Sequence, residues 1–377
     1  MNRRSFVKLS SLLLADLAIG GPLSCTTVEP LPRPLSNVSK GKVVVALSPL
    51  RSTGSVLRIL DWDTRRFEDV ELPIGIAHAL MQDPHHPSSL FAFELFGDVI
   101  RFDLESKKVV RMSASEKSIQ SNGHGASSRS GELFACTQLE KGKGSHVAVR
   151  RTRDLSTVAR LPKECDGAHQ VVALPGSGMM AVGNLQSLDR KLAGAITFFE
   201  EETWKIVNRV EFDFPVLHVL ALSPTEVVGV TMPDPPKKVS MERFMSEDEE
   251  AHRTARTLHG SKEGGPLYRA SVDGTKKIFM GDTDKANFVG SFGLAGVSKG
   301  RFLSGHAGSG RVVLWKEFEI EHVFEIRRPR GMIASPDGRE FMVVSGNELQ
   351  IHSLETRELV HRFASWPPVA AMSGYQA

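Results

Sequence analysis

The sequence predicts an all-β fold, a seven-bladed β-propeller whose N- and C-terminal strands close one blade together. Three observations lead there. A His-x5-Pro pattern recurs, in His78 with Pro84, His169 with Pro175 and His218 with Pro224. Arg330 with Pro336 keeps the spacing with an arginine, and His124 keeps the histidine without the proline. From Gly41 onward the chain is a series of short apolar runs, rich in β-branched and aromatic residues and separated by turn residues, which is the signature of strands. Finally, units start at His78, His124, His169, His218, near Phe288, at Arg330 and near Pro368. A period of roughly 40–50 residues is that of a repeat architecture, in which each unit needs its neighbours to bury its apolar faces.

Each unit resolves into four strands. In the first they are residues 78–82, 90–93, 98–104 and 108–113, with Leu104-Glu105-Ser106-Lys107 as a tight turn between the last two. The third unit repeats the order at 169–173, 179–182, 194–199 and 204–210, and the sixth at 331–335, 340–344, 348–352 and 358–363. Four antiparallel strands per unit make a propeller blade. Residues 42–72 supply three strands lacking a first, and residues 368–372 supply one strand with none after it. Joined, they complete a seventh blade and leave no unpaired sheet edge. The alternative is an open set of separate sheets. The interval after His218 is long because it holds a polar insertion, residues 231–262. It falls between strands two and three of its blade. Charges at almost every step, relieved by Met241, Phe244, Met245, Ala251 and Ala255, predict a partly ordered surface helix.

The propeller is expected over residues 40–377, behind a leader and a tether. Residues 1–25 read as an export signal: Arg3-Arg4-Ser5-Phe6-Val7-Lys8 resembles a twin-arginine motif, and an apolar stretch from Leu9 to Gly21 follows. That stretch is too short for a membrane span and suits the apolar region of a leader. Asp16 within it departs from the usual pattern. Leu23-Ser24-Cys25 fits a lipobox, which would make Cys25 a lipid anchor, although Pro22 is unusual there. The other reading puts Cys25 beside an ordinary cleavage site. Residues 26–39, rich in Pro, Ser and Thr, read as a flexible tether. A periplasmic, monomeric protein is expected, touching a membrane only through such an anchor.

Composition narrows the function classes. The formal net charge is +3, and the leader's Arg3, Arg4 and Lys8 carry much of it. With no basic stripe interleaved with aromatics, nucleic-acid binding is not expected. Cys136 and Cys165 are the other two of three cysteines. They could pair in an oxidising compartment, but two buried free thiols are favoured. The absence of any Cys-x2-Cys pair argues against a structural zinc site built on cysteine.

The recurring residues begin strand one, the strand that lines a propeller's channel. His78, His124, His169, His218 and Arg330 should therefore ring one mouth of that channel, where loops from several blades converge. Three readings of them stand side by side. They could order the turns, contact an anionic ligand together with Arg330, or hold a transition metal, since neutral imidazoles ligate Zn, Cu, Fe and Ni. Other motifs carry less. His85-His86 sits in a turn, the segments GSGMM, GLAG and GHAGSG lack the following helix that a phosphate loop needs, and no catalytic triad or carboxylate pair is assembled by spacing.

At Gly123-His124-Gly125 with SSRSGELFACTQ, at GAHQVVALPGSGMMAVGN and at ANFVGSFGLAGVSKGRFLSGHAGSGRVVLW, the chain resembles a bacterial family of exported, seven-bladed WD40- or YVTN-like propellers of unknown function. The resemblance covers residues 40–375. Ala168 stands where that family has Pro before the histidine, and the charged insertion is a second departure. The family's Asn near the end of the next strand corresponds to Asn184, which joins the ligand-contact candidates. Family members carry twin-arginine signals and accompany periplasmic iron-uptake components, so the resemblance implies an association with metal uptake and no activity. In WD40 propellers a histidine at this loop bonds with a strand-three Trp and an Asp, but here Trp62, Trp204, Trp315 and Trp366 do not follow the histidines at constant spacing. A non-enzymatic scaffold for a ligand or an envelope protein is therefore expected. The alternative is a metal-dependent or redox propeller enzyme, either a lactonase-like hydrolase or an oxidoreductase. Such hydrolases set carboxylates and an Asn at the channel mouth, where this chain has His and Arg.

Overall fold

In the computed structural model, residues 41–49, 54–113, 118–140, 143–185, 194–231, 266–279, 291–306, 308–327, 329–345, 348–363 and 369–376 are described. They form seven four-stranded antiparallel sheets, and the only helix among them is the single 3-10 turn Lys163–Cys165. No helix among the described residues is long and apolar enough to cross a membrane.

The blades follow the expected order. Blade 1 runs Ala77–Gln82, Ser89–Glu94, Val99–Asp103 and Lys108–Met112; blade 3 runs Ala168–Leu174, Met179–Asn184, Gly194–Glu200 and Ile206–Phe212. The inner strands of the others are Ile119–Ser127 (blade 2), Val216–Ala221 (blade 4), Ser291–Ser298 (blade 5), Pro329–Ala334 (blade 6) and Val369–Gln376 (blade 7). Each inner strand packs against the inner strand of the next blade, and the seventh returns to the first, so the ring is closed. In blade 7, Val369–Gln376 pairs antiparallel with Lys42–Pro49, from the opposite end of the chain.

One apolar core lies between each pair of neighbouring blades, and there are seven. Between blades 1 and 2 it is Phe91, Phe93, Phe134 and Cys136 with Ala148. Between blades 7 and 1 it is Val44, Ala46 and Leu57 against Leu80, Ile100 and Phe102. Between blades 6 and 7, Met342 and Ile351 meet Val43, Val45 and Trp62. A sheet packed on both faces needs unbroken apolar strands, and the inner strand Ala77–Gln82 is buried at every position. The outermost strand has only one packed face, so Lys108–Met112 is mostly exposed.

The turns between strands three and four share a geometry. Arg65, Lys107, Leu155, Trp204 and Arg357 all have a φ between 57° and 68°. In the first two, a strand-ending aspartate holds the turn: Asp61 Oδ1 accepts from the Thr64 N–H at 2.9 Å, and Asp103 Oδ1 from the Ser106 N–H at 2.7 Å. This corrects one boundary. Trp204 belongs to the turn, and the last strand of blade 3 starts at Ile206. In blade 2 the inner strand starts at Ile119, ahead of His124.

The chain between Glu226–Thr231 and Leu267–Ser271 connects strands two and three of blade 4, as expected for the insertion. The leader, Cys25, the tether and insertion residues 232–262 lie outside the described residues.

Candidate functional site: a buried histidine cluster

Blades 1 to 4 are consecutive around the ring, and the inner strand of each contributes one histidine. The ladders are irregular where the histidines sit. His78 is the extra residue between Ala77, paired with Glu94, and Ala79, paired with Phe93. His169 takes the same place between Ala168 and Gln170. His124 lies in the unpaired stretch between Ser121 and Gly125. A β-bulge of this kind bends the strand and re-aims a side chain. In blade 4 the extra residue is Leu217, and His218 follows it, paired with Val230. In blade 6, Arg330 pairs with Val344 just before the irregular Gly331; its side chain lies outside the description.

The four rings are brought together. His78 and His124 lie 4.8 Å apart between centroids, His124 and His169 5.0 Å, His78 and His169 6.5 Å. His218 is 5.3 Å from His169 and 6.1 Å from His124. One ring nitrogen from each of His78, His124 and His169 falls within 4.8 Å of the other two. Sequence reasoning placed these residues at a channel mouth. The structure seals them, with exposures of 0%, 1%, 0% and 2% in chain order.

Burial sets their charge state. It pushes the His78 imidazole down to about 4. His124 and His169 are held well below the ordinary range by burial and by the neighbouring imidazoles. All three are neutral at pH 7, which is the state in which imidazole ligates a metal. Both ring nitrogens of His78, both of His169 and Nε2 of His124 have no hydrogen-bond partner. A buried polar group without a partner costs about 1–3 kcal/mol, so five such atoms in one cluster call for a ligand that satisfies them. Ligand nitrogens sit about 2.0–2.1 Å from a metal such as zinc, hence roughly 3.4 Å from one another. An ion would draw the three rings in by about an ångström.

Gly123 makes room for this packing. Its φ is +88°, and a Cβ built there would lie 2.5 Å from Cδ2 of His78. Gly123→Ala is expected to cost at least about 2 kcal/mol, from the left-handed backbone and the clash combined. Urea unfolding measures this, and a loss under 0.5 kcal/mol would show the ring to be loosely held.

Polar residues close by are, by contrast, bonded. Asn184 Nδ2 donates to the Cys165 carbonyl at 2.9 Å, and its Oδ1 accepts from Thr197 Oγ1 at 2.8 Å. Other blades use the end of strand two in the same way. Glu94 Oε1 accepts from the Gly75 N–H, and Ser345 Oγ donates to the Arg327 carbonyl. Each bond pins the loop entering strand one, and this is the work Asn184 does in the fold. The Gln170 amide oxygen accepts from the Val219 N–H at 2.8 Å, tying blade 3 to blade 4. Cys136 and Cys165 are buried free thiols, pushed up by burial to about 11 and about 12, and hence inert as nucleophiles.

One network escaped the sequence reading. In blade 5, Trp315 Nε1 donates to Ser304 Oγ at 2.7 Å, and Ser304 Oγ meets His306 Nε2 at 2.7 Å. All three residues are buried. The histidine and the serine lie on strand two and the tryptophan on strand three, so the network ties these two strands of blade 5 together. The signal was available in Trp315, which falls on the strand after the GHAGSG segment.

No family model and no curated protein matches the chain. Among solved structures it is similar to Kuenenia stuttgartiensis hydrazine synthase, with a TM-score of 0.58 and 11% identity over 89% of this chain and 100% of that one. It is also similar to the RRP9 WD40 repeats, with a TM-score of 0.56 and 12% identity over 78% and 82% of the two chains. The U3-55K structure gives a TM-score of 0.51 and 12% identity over 76% and 80%. At these identities the likeness shows the propeller fold alone.

Proposed function

We propose that this propeller is an exported cell-envelope protein that acts without catalysis, as a binding scaffold whose ligand is a transition metal ion held by His78, His124 and His169, with His218 beside them. One observation carries the reading: three neutral imidazoles converge, buried, with five ring nitrogens unpaired. Zn, Cu, Fe and Ni are the metals that imidazole suits. The sealing of all four rings favours retention of an ion over turnover of a substrate, which needs an open route to the reacting atoms. Export is supported by Arg3-Arg4-Ser5-Phe6-Val7-Lys8 and the apolar run after it, and Cys25 would be the lipid attachment point. A protein of this kind fits a role beside metal-uptake components of the envelope.

The test is elemental analysis of the natively purified protein, together with thermal melting in the presence of each metal. About one metal per chain is expected. A ligand selective for the native state stabilises by about 2.7 kcal/mol at a hundredfold excess over its Kd, and His124→Gln with His169→Gln should abolish that gain. No bound metal, and a melting point indifferent to all four ions in wild type, would overturn the reading.

A further inference from the structure

Resting on the metal-centre reading, the charge balance of the site narrows the ion. Among the described residues, the group able to hold a metal contains three histidines and no carboxylate or thiolate. The donors are thus all uncharged, and the rings are closed to water. An ion placed there keeps its full charge in a poorly polarisable interior, where burying a unit charge costs several kcal/mol after relaxation. That cost grows as the square of the charge, so a divalent ion pays about four times what a monovalent ion pays. Divalent sites offset this cost with carboxylate or thiolate ligands or, where three imidazoles act alone, with a metal-bound hydroxide at an open position; among the described residues the cluster has no anionic donor, and its rings are closed to water.

We infer that the histidine cluster is a site for a monovalent, imidazole-binding metal ion, copper(I), in preference to the divalent ions. Copper(I) has a filled d shell, which imposes no geometry, and it accepts three or four nitrogen donors. The cluster offers both options, three converging nitrogens and the His218 ring 5.3 Å from His169. No electron transfer is implied, since the ion binds already reduced.

The test compares copper(I), titrated without oxygen against a chromophoric copper(I) chelator, with silver(I) as a redox-inert monovalent probe and with zinc(II). Copper(I) and silver(I) should each bind at least a hundredfold more tightly than zinc(II). The pair His218→Asp and His218→Asn isolates charge, since the two replacements share a shape. Zinc should bind at least tenfold more tightly to His218→Asp than to His218→Asn, with silver changed less than threefold between them. Native zinc affinity equal to or above that of the monovalent ions, or equal zinc binding by the two variants, would overturn the inference and leave a divalent centre standing. Failure of every ion to bind the native chain would remove the metal centre itself. Circular dichroism of each variant establishes folding first, and where His218→Asp does not fold, the comparison of native affinities decides.

Discussion

Deleting residues 368–377 should destabilise the protein by more than about 5 kcal/mol, the range reserved for the loss of a structural keystone. Val369–Gln376 is the inner strand of blade 7, and its register runs from Val43 opposite Gln376 to Pro49 opposite Val369. It also packs against the inner strands of blades 1 and 6. Without it Lys42–Pro49 becomes an open edge, and an open, apolar edge is a template for aggregation. The exposed strand is VVVAL at positions 43–47, buried throughout in the intact ring. What remains of the closure is side-chain packing of the three retained strands, Val43, Val45 and Trp62 on blade 6 and Val44, Ala46 and Leu57 on blade 1, with the ion pair of Arg65 Nη2 and Glu340 Oε2 at 2.6 Å adding about 1 kcal/mol at most; none of it replaces the lost backbone ladder. The measurement is solubility and the urea midpoint of the truncated chain. A synthetic peptide of residues 368–377 should restore part of the loss by adding back the missing strand. A truncated chain that melts within about 2 °C of the full protein would show that the ring does not depend on this closure.

The frame was legible because propeller physics repeats. Every inner strand must be apolar on both faces, so runs such as residues 78–82 and 169–173 stand out, and the turn at Leu104–Lys107 stands out because Asp103 and Ser106 shape it. The site was legible only in part. The His-x5-Pro spacing makes His78, His169, His218 and Arg330 look equivalent, yet the ladders put the first two in bulges, His218 after one and Arg330 before one. A one-residue slip changes which face a side chain takes, and nothing in the spacing reports such a slip. The depth of the cluster was hidden for a related reason. Whether a residue at the start of strand one ends in water or under cover depends on how far adjacent strands extend. In blade 2 the inner strand begins at Ile119, five residues before His124, so a ring that the sequence places at an entrance sits well inside the strand. The shared φ of the strand three-to-four turns was hidden too, since the residues that adopt it are as different as Arg65, Leu155 and Trp204.

The metal-free protein should lose several kcal/mol of stability between pH 6.5 and about pH 4. The sign follows from where protons bind. An unfolded histidine titrates near 6.5, while His78 in the fold is lowered to about 4, so between those values the unfolded chain binds the proton and the native chain refuses it. Stability is therefore complete above pH 6.5 and falls with pH until about 4. A displacement of this size is worth roughly 3 kcal/mol for one fully buried ring. His124 and His169 are also held well below the ordinary range, by burial and by neighbouring imidazoles, so the cluster titrates as a unit and its contributions do not simply add. His146 and His352, also lowered to about 4 by burial, act independently on blades 2 and 6. Against a total of about 5–15 kcal/mol for a native protein, this suffices to unfold the chain above pH 4. Carboxylates held low by hydrogen bonds, such as Asp103 beside Ser106, act in a separate window, since their loss begins only where unfolded aspartates protonate, near pH 4. Urea midpoints at pH 7.5, 6.0, 5.0 and 4.5 measure the slope. His352→Phe, which keeps the ring stacked on Phe341 at 5.3 Å, should flatten its share of the decline without touching the cluster. A midpoint constant from pH 7.5 to 4.5 would mean that protons reach these rings in the native state, and the sealed cluster would then have to be abandoned.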